Sequence, residues 1–235
     1  MLSLQVSKSD YRFIGRVAII LFLSFEKKEV LMLAVTDSTL CNKIHLSEEK
    51  EKSSDGQRSK ELFKTRTIFL SEGVTSETAK SVVSDLLTLD AKETKTIYLY
   101  LNSPGGEVNS GFSIYDTIRF INSEVVIITA GLCASIATII NIAVPKERRL
   151  TMPNSRFLIH QPLINGQVYG PASDIEITAN EIVKTRAKVN QCLAEACGQD
   201  LNRLEEDTLR DYWMSAEEAI DYGLVHRIVR HKSEL

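Results

Sequence analysis

Apolar positions along residues 61–235 recur with two periods. Thr67–Leu70, Thr96–Leu101 and Arg156–Ile159 are short runs rich in β-branched and aromatic residues, and they read as strands. Between them apolar residues return every three to four positions. That spacing predicts a helix opened by Thr75 or Ser76 and carrying Val82, Val83, Leu86 and Leu87. It predicts a second helix over 110–121, with Phe112, Tyr115, Ile118 and Phe120 in its apolar share. A third and long helix is expected after a capping box at Ser173 and Glu176. Its stripe is Ile175, Ala179, Ile182, Val189, Leu193 and Ala196, and Gly198 is its stop. Ser215 and Glu218 repeat the box for a short helix ending at Gly223, and Leu224–Val229 reads as a last strand.

The longest apolar tract is Glu124–Val144. Its first part, Val125–Ile128, has the β-branched content of a strand buried on both faces, and Gly131 is expected to break it. The second part is too long for another strand and suits a buried helix. Ser135 therefore falls where a strand turns into a helix, beside the free N–H groups of a helix start. Strands alternating with helices define an α/β fold.

Residues 1–56 follow a different pattern and are read as a divergent extension with a polar linker ahead of a domain over 57–235. The apolar run Val17–Phe25 follows Lys8, Arg12 and Arg16, the layout of a signal peptide. A membrane-spanning helix needs about 20 apolar residues, so this run is too short to cross. No clean cleavage site follows it. The working chain is expected to start at Met32 or later. Ser47–Lys60 is too hydrophilic to pack and reads as a linker, a place for self-cleavage.

Composition narrows the chemistry. A net charge of −3 over 235 residues argues against nucleic acid as the main partner. Cys41, Cys133, Cys192 and Cys197 show neither a C-x-x-C spacing nor a histidine partner, so they read as reduced thiols of a cytoplasmic protein with no metal site. No G-x-x-x-x-G-K-[ST] motif is present, so nucleotide hydrolysis is not expected of this chain. No cofactor is implied.

A serine nucleophile needs a base, and the base needs a carboxylate to orient it. Of the four histidines, His45 lies in the divergent extension, and His226 and His231 at the far C-terminal end. His160 alone ends a core strand. Asp207 and Asp211 both flank the last helix, and either fits the third role. An oxyanion needs backbone N–H donors. Gly105-Gly106, after a strand, and Ile136, at the start of a helix, provide them.

The chain from about Gln57 onward resembles the Clp protease proteolytic subunit. The likeness is carried by Ile97–Gly106 (IYLYLNSPGG), Ser113–Thr117 (SIYDT) and Pro153–Arg156 leading to Ile159–Leu163 (IHQPL). Asp174–Ile177, Arg210-Asp211, Met214–Ala219 and Tyr222–Leu224 complete it. The resemblance implies Ser135 as nucleophile, His160 as base and Asp211 as acid, with the backbones of Gly106 and Ile136 as oxyanion hole. It implies a ClpP/crotonase-like spiral of ββα units with a handle segment for ring–ring contact near 163–173. It further implies two stacked heptameric rings, a tetradecamer of one or two kinds of subunit. Unfolded polypeptides would be fed in by an AAA+ unfoldase, as part of cytoplasmic protein quality control. Tyr98, Tyr100, Phe120 and Val229 fall on the unfoldase docking positions. Neither membrane nor nucleic acid is implied as a partner.

The chain departs from the family around the serine. The usual G-Q-A-A-S-M-G is here Gly131–Ala137 (GLCASIA), the usual aspartate of the Y-G-L-[IV]-D run is His226, and the handle has extra residues, Ile164 and Asn165 among them. A branched Ile136 is expected to crowd the oxyanion N–H. Two other readings compete with a protease subunit. One is a weakly active or regulatory ring subunit that works with a paralogous subunit. The other is an acyl-CoA enzyme of the related crotonase fold, which would not need the Ser135–His160 pair.

Overall fold

The computed structural model describes residues 60–163 and 169–235, together with the backbone of two strands at 19–25 and 28–34. The chain divides into two compact units, residues 1–61 and 62–235. In the first, β1 (Ile19–Phe25) and β2 (Lys28–Ala34) pair antiparallel, Phe25 opposite Lys28 and Leu21 opposite Met32. The run with a leader-like layout is thus strand over Ile19–Phe25. Cys41, His45, residues 47–59 of the linker expected over Ser47–Lys60, and handle residues 164–168 lie outside the described residues. Among the described residues no helix is long and apolar enough to cross a membrane.

The second unit is an α/β sheet of seven strands. β3 (Thr67–Leu70), β4 (Ile97–Ser103), β5 (Val125–Ala134), β6 (Arg149–Thr151) and β9 (Arg227–Ile228) run parallel in that order. β7 (Arg156–Ile159) pairs parallel with β5, and β8 (Tyr212–Ser215) pairs antiparallel with β7. The sheet branches within β5. Ile127–Thr129 pair with β6, and Leu132–Ala134 pair with β7. Gly131, at φ 116°, is where the strand changes partner. The strand expected to break there instead continues through it to Ala134.

Alternation along β4 decides which face carries the main core. Ile97, Leu99 and Leu101 are fully buried, in one cluster with Val82 and Leu86 of α1 (Ser76–Lys92) and Ile114 and Ile118 of α2 (Val108–Phe120). Tyr98 and Tyr100 point the other way, onto a small cluster of Ile128, Leu150 and Val229. Thr75 is the N-cap of α1, in a capping box closed by Thr78. Leu87, expected in the buried stripe of α1, is exposed, and so is Phe120 at the end of α2.

The long helix α4 (Ala172–Cys197) differs from its expected start. Pro171 is the N-cap and no side chain caps it, so Ser173 and Glu176 form no box. Only the second half of its apolar stripe is buried, from Val189 onward; Ile175 and Ala179 are exposed. Gly198 closes α4 and Gly223 closes α6 (Ala216–Tyr222), both left-handed, and Ser215 and Glu218 form the expected box on α6. The strand expected over 224–229 shrinks to β9.

Arg66 is a structural residue that the sequence pattern did not mark. It sits at φ 58° with its side chain buried. Its guanidinium donates to the carbonyls of Leu89, Lys95 and Thr96 and to Ser123 Oγ. One buried cation thereby ties the end of α1 to the starts of β4 and β5.

Candidate active site

The site lies at the carboxyl ends of β5 and β7, where open α/β sheets place their ligands. β5 bends at Gly131, and side chains from neighbouring segments hold the bend. Asn102 Oδ1 accepts from the Leu132 N–H at 3.0 Å. Ser155 Oγ accepts from the Gly131 N–H at 3.3 Å and donates to the Thr129 carbonyl at 3.0 Å. At φ 116° any side chain would be strained, and a β-carbon on Gly131 would stand 2.7 Å from Asn102 Oδ1 and push the bracing amide aside. The bend carries the strand off β6 and onto β7, next to the strand that leads to His160.

Ser135 ends this strand and begins α3 (Ile136–Asn141). Its N–H donates to the Leu158 carbonyl at 2.9 Å, and its own carbonyl accepts from the Thr138 N–H and hydroxyl. Held at both ends, it takes φ 57° and ψ −127°, a strained conformation for a residue with a β-carbon. Its hydroxyl makes no capping bond. A serine kept in strain at a strand-to-helix turn, with its hydroxyl unused by the helix, is the arrangement of a nucleophile elbow.

The loop Gly105-Gly106 packs directly against this turn. A β-carbon on Gly105 would lie 2.6 Å from the Ala134 carbonyl oxygen, 2.7 Å from Ser135 Cβ and 3.1 Å from the Ile136 nitrogen. The Gly105 carbonyl accepts from the Val74 N–H, and the Glu107 N–H donates to the Val74 carbonyl. That pairing pins both sides of Gly106. The N–H groups of Gly106 and Ile136 have no acceptor among the described residues. Ile136 itself is buried against Gly111 of α2, so the branched side chain expected to crowd the turn has a glycine opposite it.

His160 follows β7, and Asp211 precedes β8. The last pair of that antiparallel ladder is Ile159 with Tyr212, so the next residue on each side must meet. His160 Nδ1 lies 3.4 Å from Asp211 Oδ1. The imidazole is 16% exposed and the carboxylate 64%, so the ring is shielded and the carboxylate faces solvent. Asp207, the other candidate, is engaged elsewhere. It accepts from the Tyr222 hydroxyl at 2.9 Å, and Arg203 Nε lies 3.7 Å away. Burial, and then the Asp207 carboxylate, push the Tyr222 phenol far above its ordinary range. Cys133, two residues before Ser135, is fully buried, and burial raises its thiol well above the usual value. Burial thus favours its neutral form.

Tyr98, Tyr100 and Val229 share the small cluster on the far face of the sheet, where Phe69 stacks on Tyr100 with ring centroids 5.3 Å apart. A cavity there is lined by Tyr100, Ile128, Met152, Pro153 and Val229. Phe120 lies outside that cluster. Sequence reasoning missed Gly111, Ser155 and the bracing role of Asn102. Asn102 was visible only as the residue that ends a strand before Pro-Gly-Gly.

An α/β sheet with a strained serine and a histidine–carboxylate pair at the carboxyl ends of its parallel strands fits the class of hydrolytic α/β proteins. The chain belongs to the Clp protease family, whose model matches residues 49–232. It is 50% identical over 174 residues to an ATP-dependent Clp protease proteolytic subunit 3 of Rhizobium johnstonii, covering 74% of this chain and 89% of that protein. It is 42% identical over 190 residues to the ATP-dependent Clp protease proteolytic subunit of Ligilactobacillus salivarius, covering 79% and 95%. Among solved structures it is similar to a ClpP1 point mutant from Listeria monocytogenes, with a TM-score of 0.69, 37% identity, and coverage of 74% and 97%.

Proposed function

We propose that the chain is the proteolytic subunit of an ATP-dependent Clp protease, a serine endopeptidase. The observation that carries this is the strained Ser135 beside the strand that delivers the His160–Asp211 pair. In this reading Ser135 Oγ attacks the scissile carbonyl while His160 takes its proton. Asp211 accepts from Nδ1–H, which leaves Nε2 to act as the base. The oxyanion accepts from the N–H groups of Gly106 and Ile136. Collapse breaks the C–N bond, and His160 returns the proton to the leaving amine. Water, deprotonated by His160, then attacks the acyl ester and frees the new carboxylate and Ser135.

The remaining assignments rest on the family and on exposed surface. Leu163, Tyr169, Ile175, Ile177 and Val183 are apolar and exposed on the single chain around the start of α4. They support a ring–ring contact at the handle of a tetradecamer of stacked heptamers. The cavity beside Tyr100 and Val229 supports docking of an AAA+ unfoldase, which supplies the ATP hydrolysis, and the setting is cytoplasmic. A second reading, a subunit that works with a paralogue, is favoured by the numbered name, subunit 3, of the Rhizobium johnstonii protein.

The test pairs a short fluorogenic peptide with an unfolded protein. Peptide cleavage is expected without nucleotide, and protein degradation only with ATP and a Clp ATPase. Cooperation with a paralogue predicts that mixing the two subunits raises peptide turnover above the sum of the parts. Thioester hydrolysis of acyl-CoA in place of peptide cleavage would overturn the assignment.

A further inference from the structure

Gln161 follows the histidine, and its hydrogen bonds do not continue the ladder that precedes it. With Ile159 opposite Tyr212, a regular antiparallel ladder would set Gln161 opposite Arg210. Instead its backbone N–H donates to the Thr208 carbonyl at 2.7 Å, and its side-chain Nε2 donates to the Leu209 carbonyl at 2.9 Å. These successive carbonyls lie just beyond α5 (Leu201–Asp207), in a stretch where a helix leaves carbonyls without internal partners. One residue thus caps the end of α5 and bends the chain toward Asp211.

The clamped stretch is anchored from behind. Thr208 is buried, its N–H donates to the Leu204 carbonyl, and its hydroxyl reaches Leu204 O at 2.8 Å and Asn190 Oδ1 on α4 at 3.3 Å. Gln161 Oε1 accepts from Arg186, also on α4, at 3.4 Å. Carbonyls 208 and 209 are therefore fixed to α4 and α5 on one side and to the residue after His160 on the other. Asp211 is mostly solvent-exposed and has no such anchor among the described residues.

We propose that Gln161 is a positioning residue for the reaction. Its two donors hold the 208–211 turn so that Asp211 meets His160, and Arg186 ties that clamp to α4. The inference rests on the proposed roles of His160 and Asp211. It predicts an effect on turnover that disappears when Asp211 can no longer act.

The test is a double-mutant cycle on the assembled protein, in wild-type and Asp211→Asn backgrounds. Fluorophosphonate labelling of wild-type Ser135, measured in parallel, tests the serine mechanism separately from the clamp. Gln161→Met keeps the length and removes both polar atoms of the side chain. Gln161→Glu keeps an acceptor for Arg186 and removes the donor to Leu209. Both are expected to lower kcat about tenfold, the scale of one lost hydrogen bond, with KM within about twofold. Arg186→Met is expected to cost less, about threefold, because its contact is longer. In the Asp211→Asn background, Gln161→Met should cost less than about twofold. Melting temperature and ring assembly are followed throughout, so that a folding defect registers separately. An unchanged kcat, an equal loss in both backgrounds, or a loss that only follows melting temperature would overturn the proposal.

Discussion

Gly111 and Ile136 are complementary across the packing of α2 on α3: a β-carbon at Gly111 would stand 2.2 Å from Ile136 Cγ1. The branched residue after the serine is tolerated because the facing residue has no side chain. Gly111→Ala is therefore expected to cost about 1–3 kcal/mol by overpacking and to lower kcat by displacing the Ile136 N–H. Gly111→Ala combined with Ile136→Ala should recover much of the turnover. Thermal melts and steady-state kinetics on the two variants check this; a Gly111→Ala protein with wild-type stability would contradict the packing argument.

Two left-handed glycines make a contrast. Gly105, at φ 87°, is hemmed in by Ala134 and Ser135, whereas Gly198, at φ 68°, has nothing within 4 Å of a built β-carbon. Gly105→Ala is expected to lower kcat by about a hundredfold or more, because the proposed oxyanion donors, the N–H groups of Gly106 and Ile136, move with the loop. Gly198→Ala should cost about 1 kcal/mol of stability from backbone strain alone and leave kcat unchanged. Equal effects of the two substitutions on kcat would count against the loop's role.

Asp207 and Asp211 differ in what they touch. Asp211→Asn is expected to reduce kcat by on the order of 10³–10⁴, the scale seen when the orienting carboxylate of such a triad is neutralised. Asp207→Asn weakens the bond to the Tyr222 hydroxyl and should cost about 1 kcal/mol of stability, with kcat within about threefold. Kinetics that reverse this order would move the orienting role to Asp207.

Burial pushes the Cys197 thiol from an ordinary 9.0 up to about 11. Below about pH 9 the thiol is neutral in both folded and unfolded chains, and its contribution to stability is fully present. Between about 9 and 11 the unfolded chain loses the proton first, so stability falls as pH rises, by up to about 1.4 kcal/mol per pH unit. Denaturant melts at pH 8 and pH 10 should show that loss, and Cys197→Ala should lessen it. A loss of the same size in Cys197→Ala would assign it elsewhere.

The local chemistry of the elements was legible in the sequence. β-branched and aromatic content placed β4, and the cap at Thr75 or Ser76 and the Ser215 box placed two helix starts, because those signals depend on neighbours in the chain. The passage of β5 through Gly131 was not, because the change of partner from β6 to β7 is a tertiary event held by Asn102 and Ser155. Nor was the exposure of the first half of α4: Ile175 and Ala179 fit a helical stripe, but no described residue covers them. For the site, the pattern narrowed the carboxylate to Asp207 or Asp211 and the family resemblance favoured Asp211. The facing of Ile159 and Tyr212 is what sets Asp211 beside His160. The strain at Ser135 left no mark in the residue types around it.

The central claim is that Ser135 is the nucleophile. The most direct measurement is peptide mapping by mass spectrometry after reaction with a fluorophosphonate. The account predicts one covalent adduct, on the peptide containing Ser135, with no adduct and no peptide cleavage in Ser135→Ala protein of unchanged fold and assembly. Since removing the nucleophile of such a triad lowers turnover by on the order of 10⁴-fold or more, the difference should be unambiguous. Labelling at another residue, or labelling and cleavage that persist in Ser135→Ala, would contradict it.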